Sequence, residues 1–262
     1  MPQTIDMSGQ VALVTGASRG IGAAVARAFS AAGAAVVLAS RDGAALDHLA
    51  EELQAGGGEA LAVPTDVTDQ DAVAAMVAAT VARFGRLDHA CNDAGGSHRP
   101  TQLADLDVDA FDAAYAVNLR GAFLSMKYEI PALLASGGGA IVNISSTAGL
   151  DGVGGLSGYV SAKHGLEGLT KVAALDYGAQ HVRVNCVAPG PILTEGLQRA
   201  GAKAQQIAAD AMPLKRVGQP EEVAAAVVWL CSESAAFITG TTLVVDGGKL
   251  AGTPLFMVQQ PT

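Results

Sequence analysis

Aromatic side chains are scarce: phenylalanine, tyrosine and tryptophan make up 4% of 262 residues, with one tryptophan. A core built on large rings is excluded, so alanine, glycine and valine must fill the interior through close approach of backbones. Cysteine is sparse too. Cys91, Cys186 and Cys231 are far apart and form no C-x-x-C pair, which excludes a thiolate metal knuckle or a disulfide framework. They read as buried, reduced thiols, which agrees with a cytoplasmic location. Positive charge is also short. Sixteen Lys and Arg against 25 Asp and Glu leave a net charge of −9, which argues against a nucleic-acid or anionic-membrane partner. No apolar run reaches the ~18 residues of a membrane helix. The opening MPQTIDMSGQ lacks the basic and apolar regions of a signal peptide.

What is present is a regular alternation. Short, nearly continuous apolar runs at 11–15, 35–39, 60–63, 87–91, 140–145, 183–188 and 242–245 read as strands covered on both faces. Ala-rich stretches of helical period at 20–32, 43–54, 69–84, 107–135, 158–178 and 220–232 separate them. Gly33, Gly56, Gly85 and Gly137 mark helix ends, and Asp69 and Asp107 suit N-caps. This predicts one α/β domain over 1–262 with a Rossmann-like, doubly wound parallel sheet. The polar, Ala-rich tract 194–213 reads as a substrate lid or as a plain surface helix.

Residues 11–22, VALVTGASRGIG, run from a strand through a glycine-rich turn into a helix. Gly16, Gly20 and Gly22 lack a Cβ, so a pyrophosphate can approach the backbone. The free N–H groups of the helix N-terminus, with Ser18, Arg19 and Ile21 around them, favour an anion. The second strand ends in Ser40-Arg41, where an acidic residue would select an unphosphorylated ribose. Arg41 and Ser40 can bind a 2′-phosphate instead, favouring NADP(H) with NAD(H) possible. The alternative is that Arg41 is a solvated loop charge. Asp66-Val67 follows the third strand and could hold the adenine edge or simply open the next helix.

Tyr159 and Lys163 lie four residues apart, on one helix face. A phenol, with an ordinary pKa near ~10, is a poor base at neutral pH, and a neighbouring ammonium favours its phenolate. Ser146 closes the strand segment VNISS and could polarise a carbonyl oxygen. Asn118, in the preceding helix, can donate and accept, or merely bond the backbone.

From Gly9 to Gly248 this set resembles the short-chain dehydrogenase/reductase family. The resemblance rests on Thr15-Gly16-x-x-x-Gly20-Ile21-Gly22, Asp66-Val67, Asn92-Asp93-Ala94-Gly95, Asn118, Ser146, Tyr159-x-x-x-Lys163, Pro189-Gly190 and Val245-Asp246-Gly247-Gly248. It implies strand order 3-2-1-4-5-6-7 and a homotetramer, or a dimer, pairing the helices of Asn118 and Tyr159. It implies that Tyr159 protonates the substrate carbonyl, Ser146 orients it, Lys163 holds the nicotinamide ribose, and Asn118 holds a water linked to Lys163. Asn92, Ala94 and Gly95 would line the cofactor. Ile192 and Thr194, after Pro189-Gly190, would meet the carboxamide.

Two departures stand out. Asp93 replaces the family's second asparagine, which puts local support of the sheet in doubt. The tail 249–262, with Leu250, Leu255, Phe256, Met257 and Val258, is longer than the family expects and is expected to pack on a neighbouring subunit. Residues 96–99, 150–156 and 191–212 should form the substrate pocket, suited to a moderately bulky, partly apolar carbonyl or alcohol. His98 and Arg99 would meet a polar group there or face water. The expected activity is an NADP(H)-dependent ketone reductase. The alternatives are an NAD-linked secondary alcohol or sugar dehydrogenase, a nucleotide-sensing protein without turnover, and a non-redox lyase. No metal is expected.

Overall fold

In a computed structural model, residues 5–252 are described. The first half comprises β1 (Val11–Thr15), α1 (Gly20–Ala31), β2 (Ala35–Ser40), α2 (Gly43–Ala55), β3 (Ala60–Pro64), α3 (Gln70–Phe84) and β4 (His89–Asn92). Next, α4 (Val108–Tyr115) passes through a π turn (Ala116–Arg120) into α5 (Gly121–Ala135). Then come β5 (Gly139–Ile144), α6 (Ser157–Tyr177), β6 (Val182–Pro189), α7 (Glu195–Arg199), α8 (Gly201–Asp210), α9 (Pro220–Cys231) and β7 (Thr242–Val245). The strands pair in parallel in the order 3-2-1-4-5-6-7, as expected.

Apolar patterning explains the layers. In β1, Ala12 and Val14 join Ala24, Phe29 and Val227 on one side of the sheet. Val11 and Leu13 join Val73, Met76, Leu124 and Leu133 on the other. Each fully buried Leu, Val or Phe contributes about 1.5–3 kcal/mol. Asp42, Asp69 and Asp107 accept backbone N–H groups of the first turns of α2, α3 and α4. Cys91, Cys186 and Cys231 are buried free thiols, as read from the sequence. No helix among the described residues is long and apolar enough to cross a membrane.

Gly56 caps the end of α2, as read from the sequence, and the left-handed residue is the next one, Gly57 (φ 89°). Two details differ from expectation. β4 starts at His89, not Leu87, because the Leu87 N–H is drawn to Ser136 Oγ at 3.0 Å. The stretch expected as one helix, 107–135, contains the π turn, where Gly121 N–H reaches back to Ala116 O. Within that turn the Asn118 side chain takes over the Ala114 carbonyl, through Nδ2 at 2.9 Å. Of the tail, residues 253–262, and with them Leu255 to Val258, lie outside the described residues.

Beneath the carboxyl edge of the sheet runs a buried polar ladder. Asn92, Asn143 and Cys186 are register partners on β4, β5 and β6. Asn92 Nδ2 donates to Asn143 Oδ1 (3.0 Å) and to Glu129 Oε2 of α5 (3.1 Å). Asn143 Nδ2 donates to Thr170 Oγ1 of α6 at 2.9 Å. The ladder ties both flanking helices to the sheet under the site. Burial pushes the Glu129 carboxyl up to about 7, against the pull of the Asn92 hydrogen bond. An unfolded chain releases that proton near ~4.3. The folded state therefore binds more protons between these values and loses stability as pH rises through them. Glu129→Gln removes this term: the variant should melt with the wild type near pH 4.5. At pH 8 it should be more stable by about 3 kcal/mol, read from Tm against pH.

Candidate active site

The carboxyl ends of β1, β4, β5 and β6 converge with the starts of α1 and α6 on one edge of the sheet. After β1 the chain turns through Gly16 (φ 70°) and Gly20 (φ 56°) into α1. A Cβ on Gly22 would lie 2.4 Å from Gly16 O, and one on Gly16 would lie 2.9 Å from Ala94 N. Both neighbours are backbone and cannot yield. Arg19, the exposed N-cap of α1, places no side chain over its N–H groups, and the first turn carries no acid. Ser18 and Ile21 flank this end, half-buried. The result is an open cradle of N–H donors that fits a pyrophosphate. Asp93 lies beneath it, with Oδ2 2.9 Å from the Cβ position of Gly22. Burial pushes its carboxyl up to about 7, against the pull of the Lys163 ammonium and the Gly22 N–H.

At the far end of the cradle, Ser40 closes β2 and its Oγ accepts the Asp42 N–H at 3.2 Å. Arg41 is exposed beside it. Asp66 Oδ1 accepts both the N–H (2.9 Å) and Oγ1–H (2.8 Å) of Thr68, which hold its carboxyl below its ordinary range, with a smaller contribution from Arg41. One Asp66 oxygen is thus committed to the entry into α3, and Oδ2 has no such partner among the described residues. Val67 is buried against Gly121 at the end of the π turn, where a Cβ would come within 2.8 Å of its Cγ2.

The four residues singled out for chemistry come together through α6. Lys163 is 4% exposed, its Nζ 5.7 Å from the Tyr159 ring centroid. That Nζ donates to Ile144 O at 2.7 Å, the last residue of β5. Two residues on, Ser146 Oγ accepts the Ala148 N–H at 3.1 Å, closing a short turn. The turn packs on α6: a Cβ on Gly149 would lie 3.1 Å from Lys163 O. Tyr159 and Ser146 are half-buried.

Asn118 is 1% exposed. Its Nδ2 donates to Gly96 O (2.7 Å) and Ala114 O, and its Oδ1 accepts the Gly96 N–H at 3.2 Å. Both amide protons are therefore committed to the protein. This leaves Oδ1 as the side-chain atom with capacity for the water implied by the resemblance. Gly95 makes room here: a Cβ would lie 2.7 Å from Asn118 Oδ1 and 3.6 Å from Lys163 Nζ.

Asn92 ends β4, and Ala94 just beyond it frames the cradle, its N–H donating to Thr15 Oγ1 at 3.2 Å. Pro189 is buried, and Gly190 has Asp246 Cα 2.8 Å from its Cβ position. Ile192 bridges Gly218, and Thr194 Cγ2 sits 3.2 Å from the Cβ position of Gly20. Thr194, the N-cap of α7, thus touches the cofactor turn from above. No residue of α7 or α8 is buried, while Met212 behind them is anchored at 3% exposure.

Two contacts were not read from the sequence, one of them made by His98, which was expected to meet a polar group in the pocket or to face water; its neighbour Arg99 is exposed. Lys249 Nζ donates to Thr147 Oγ1, next to Ser146, at 3.0 Å. His98 bonds to α6 itself, at 3.2 Å to the Gly158 N–H. These partners are 102 and 60 residues apart, and no local spacing signals them. No metal-binding group of His, Cys, Asp or Glu exists among the described residues.

Residues 16–249 match a family model described as enoyl-(acyl carrier protein) reductase. An A-factor type gamma-butyrolactone 1′-reductase (1S-forming) of Streptomyces virginiae is 44% identical, over 92% of this chain and 96% of that protein. A cyclohexanol dehydrogenase of an Acinetobacter species is 42% identical over 91% and 94%. A cis-4-hydroxycyclohexanecarboxylate dehydrogenase of Sinomonas cyclohexanicum is 42% identical over 92% and 97%. The crystal structure of a short-chain type dehydrogenase/reductase from Mycobacterium marinum superposes with a TM-score of 0.90 at 34% identity, covering 95% of this chain and 98% of that one.

Proposed function

The chain belongs to the short-chain dehydrogenase/reductase family, oxidoreductases that interconvert alcohols and carbonyls with NAD(P)(H), and from that premise we propose that it reduces a cyclic, partly apolar ketone with NADPH. The observation that carries the reading is the Tyr159–Lys163 pair on one face of α6, locked through Ile144 to the strand end that bears Ser146. The bound dinucleotide would supply the hydride. Ser146 Oγ donates to the carbonyl oxygen and fixes its direction. Tyr159 Oη then gives that oxygen its proton, and the Lys163 ammonium stabilises the phenolate left behind. Asn118 keeps the loop over Lys163 in place, and its Oδ1 is the acceptor offered to a proton-carrying water.

Arg41 and Ser40 support the choice of NADPH, since β2 closes on these two residues rather than on an acid placed to select an unphosphorylated ribose, and the Asp42 carboxylate that follows is turned to the Ala45 N–H of α2. The names of the cyclohexanol and hydroxycyclohexanecarboxylate relatives support a ring substrate. So does a pocket mouth where Gly152 and Gly154 have open space around them and Leu150 offers apolar surface. The stretch 194–213 acts as the lid, anchored at Thr194 and Met212 with no core side chain between. Two exposed apolar faces support a homotetramer. One is on α4–α6 (Phe123, Val172) and the other is near the β7 edge (Trp229, Phe237). Buried reduced thiols support the cytoplasm as its site of action.

Fluorescence titration of the purified protein should show NADPH bound at least about tenfold more tightly than NADH, given a charge-assisted pair to the 2′-phosphate. Absorbance at the nicotinamide band should then fall only when a carbonyl is added, with cyclohexanones among the best substrates. Tighter NADH binding would move the reading to an NAD-linked alcohol dehydrogenase.

A further inference from the structure

We propose that His98 is a positioning residue for Tyr159: it caps the catalytic helix from a separate loop and joins that helix to Asn118. The inference rests on the catalytic reading of Tyr159 given above. Helix α6 spans 21 residues, yet its N-cap residue, Leu156, offers no capping side chain. A helix start leaves its first N–H groups without partners. Here the Gly158 N–H donates to His98 Nε2 at 3.2 Å, sixty residues away in sequence. The other ring nitrogen, Nδ1, lies 2.9 Å from Arg99 O. A carbonyl can only accept, so Nδ1 carries the proton and Nε2 presents its lone pair to Gly158. Both contacts demand the same neutral tautomer.

The loop bearing His98 is pinned at both ends. Gly96 is clamped by the Asn118 amide through two hydrogen bonds, at 2.7 and 3.2 Å. Thr101 N–H donates to Gly155 O at 2.9 Å, and Gly155 has φ 81°. The fit is close in the middle: a Cβ on Gly158 would lie 3.2 Å from His98 Cδ2. One strap therefore runs from Asn118 through His98 to the residue before Tyr159. It fixes where the first turn of α6 begins and so where the phenol points. Small misplacements of a reacting group are costly, which gives the strap its catalytic weight.

The test compares the full-length wild type, His98→Ala and His98→Gln. Glutamine can place an amide oxygen where Nε2 stood. In His98→Ala, amide hydrogen exchange over 155–160 should accelerate about tenfold and kcat should fall about tenfold. Dissociation constants for NADPH should stay within about twofold, since the cradle lies on α1. His98→Gln should restore most of both losses. Unchanged exchange at 155–160 would overturn the proposal, as would faster exchange with an unaltered kcat, or a glutamine variant as impaired as the alanine one. If His98→Ala fails to fold, His98→Gln decides: native exchange and kcat support the cap, and impairment of either overturns it. Exchange is measured without substrate, so a failure of the redox reading remains distinguishable.

Discussion

Replacing Tyr159 with phenylalanine should lower kcat by at least about 100-fold and leave nucleotide affinity unchanged. The substitution removes one oxygen and keeps the ring that packs beside Lys163, whose Nζ lies 5.7 Å from the ring centroid. Lys163 itself stays anchored, because its 2.7 Å hydrogen bond runs to Ile144 O and not to the phenol. The fold around the site should therefore persist, and the loss should fall on proton transfer. Ser146 cannot replace the phenol: an aliphatic hydroxyl is a far weaker acid than a phenol and its alkoxide has no ring to spread the charge. Steady-state kinetics over a range of pH, with fluorescence titration of NADPH, checks both halves. A variant with kcat within about tenfold of the wild type would remove Tyr159 from the proton-donor role.

Arg41→Asp should shift the ratio of NADPH to NADH affinity by at least about 100-fold towards NADH. An arginine–phosphate pair contributes about 1.5–3 kcal/mol, and an aspartate there adds repulsion while offering the ribose hydroxyls an acceptor. The position is suited to such an exchange. Arg41 is exposed, and the adjacent Ser40 keeps its backbone in the β2–β3 register. Ala17 N–H donates to Ala39 O at 3.1 Å, which ties the end of β2 to the cofactor turn. Stability should barely change, since no salt bridge holds Arg41 among the described residues. Dissociation constants for both nucleotides supply the test, and an unchanged ratio would show that Arg41 does not reach the 2′-phosphate.

Much was determined by sequence alone. Near-continuous apolar runs specify strands buried on both faces, glycines and the caps Asp69 and Asp107 bound the helices between them, and parallel pairing follows from that alternation with right-handed crossovers, while the strand order came from the family resemblance. Gly16, Gly20 and Gly22 declare a turn that must exclude side chains, and the four-residue spacing of Tyr159 and Lys163 places them on one helix face. These features are local: each depends on residues that are near one another in the chain. What only the tertiary structure decided depends on partners that the chain brings together from a distance. The π turn that aims the Asn118 amide at Gly96, the buried ladder joining Glu129 to Asn92, and the His98 cap on α6 have no period and no neighbouring signature. A buried polar group must find a partner somewhere, but its own sequence neighbourhood does not say where.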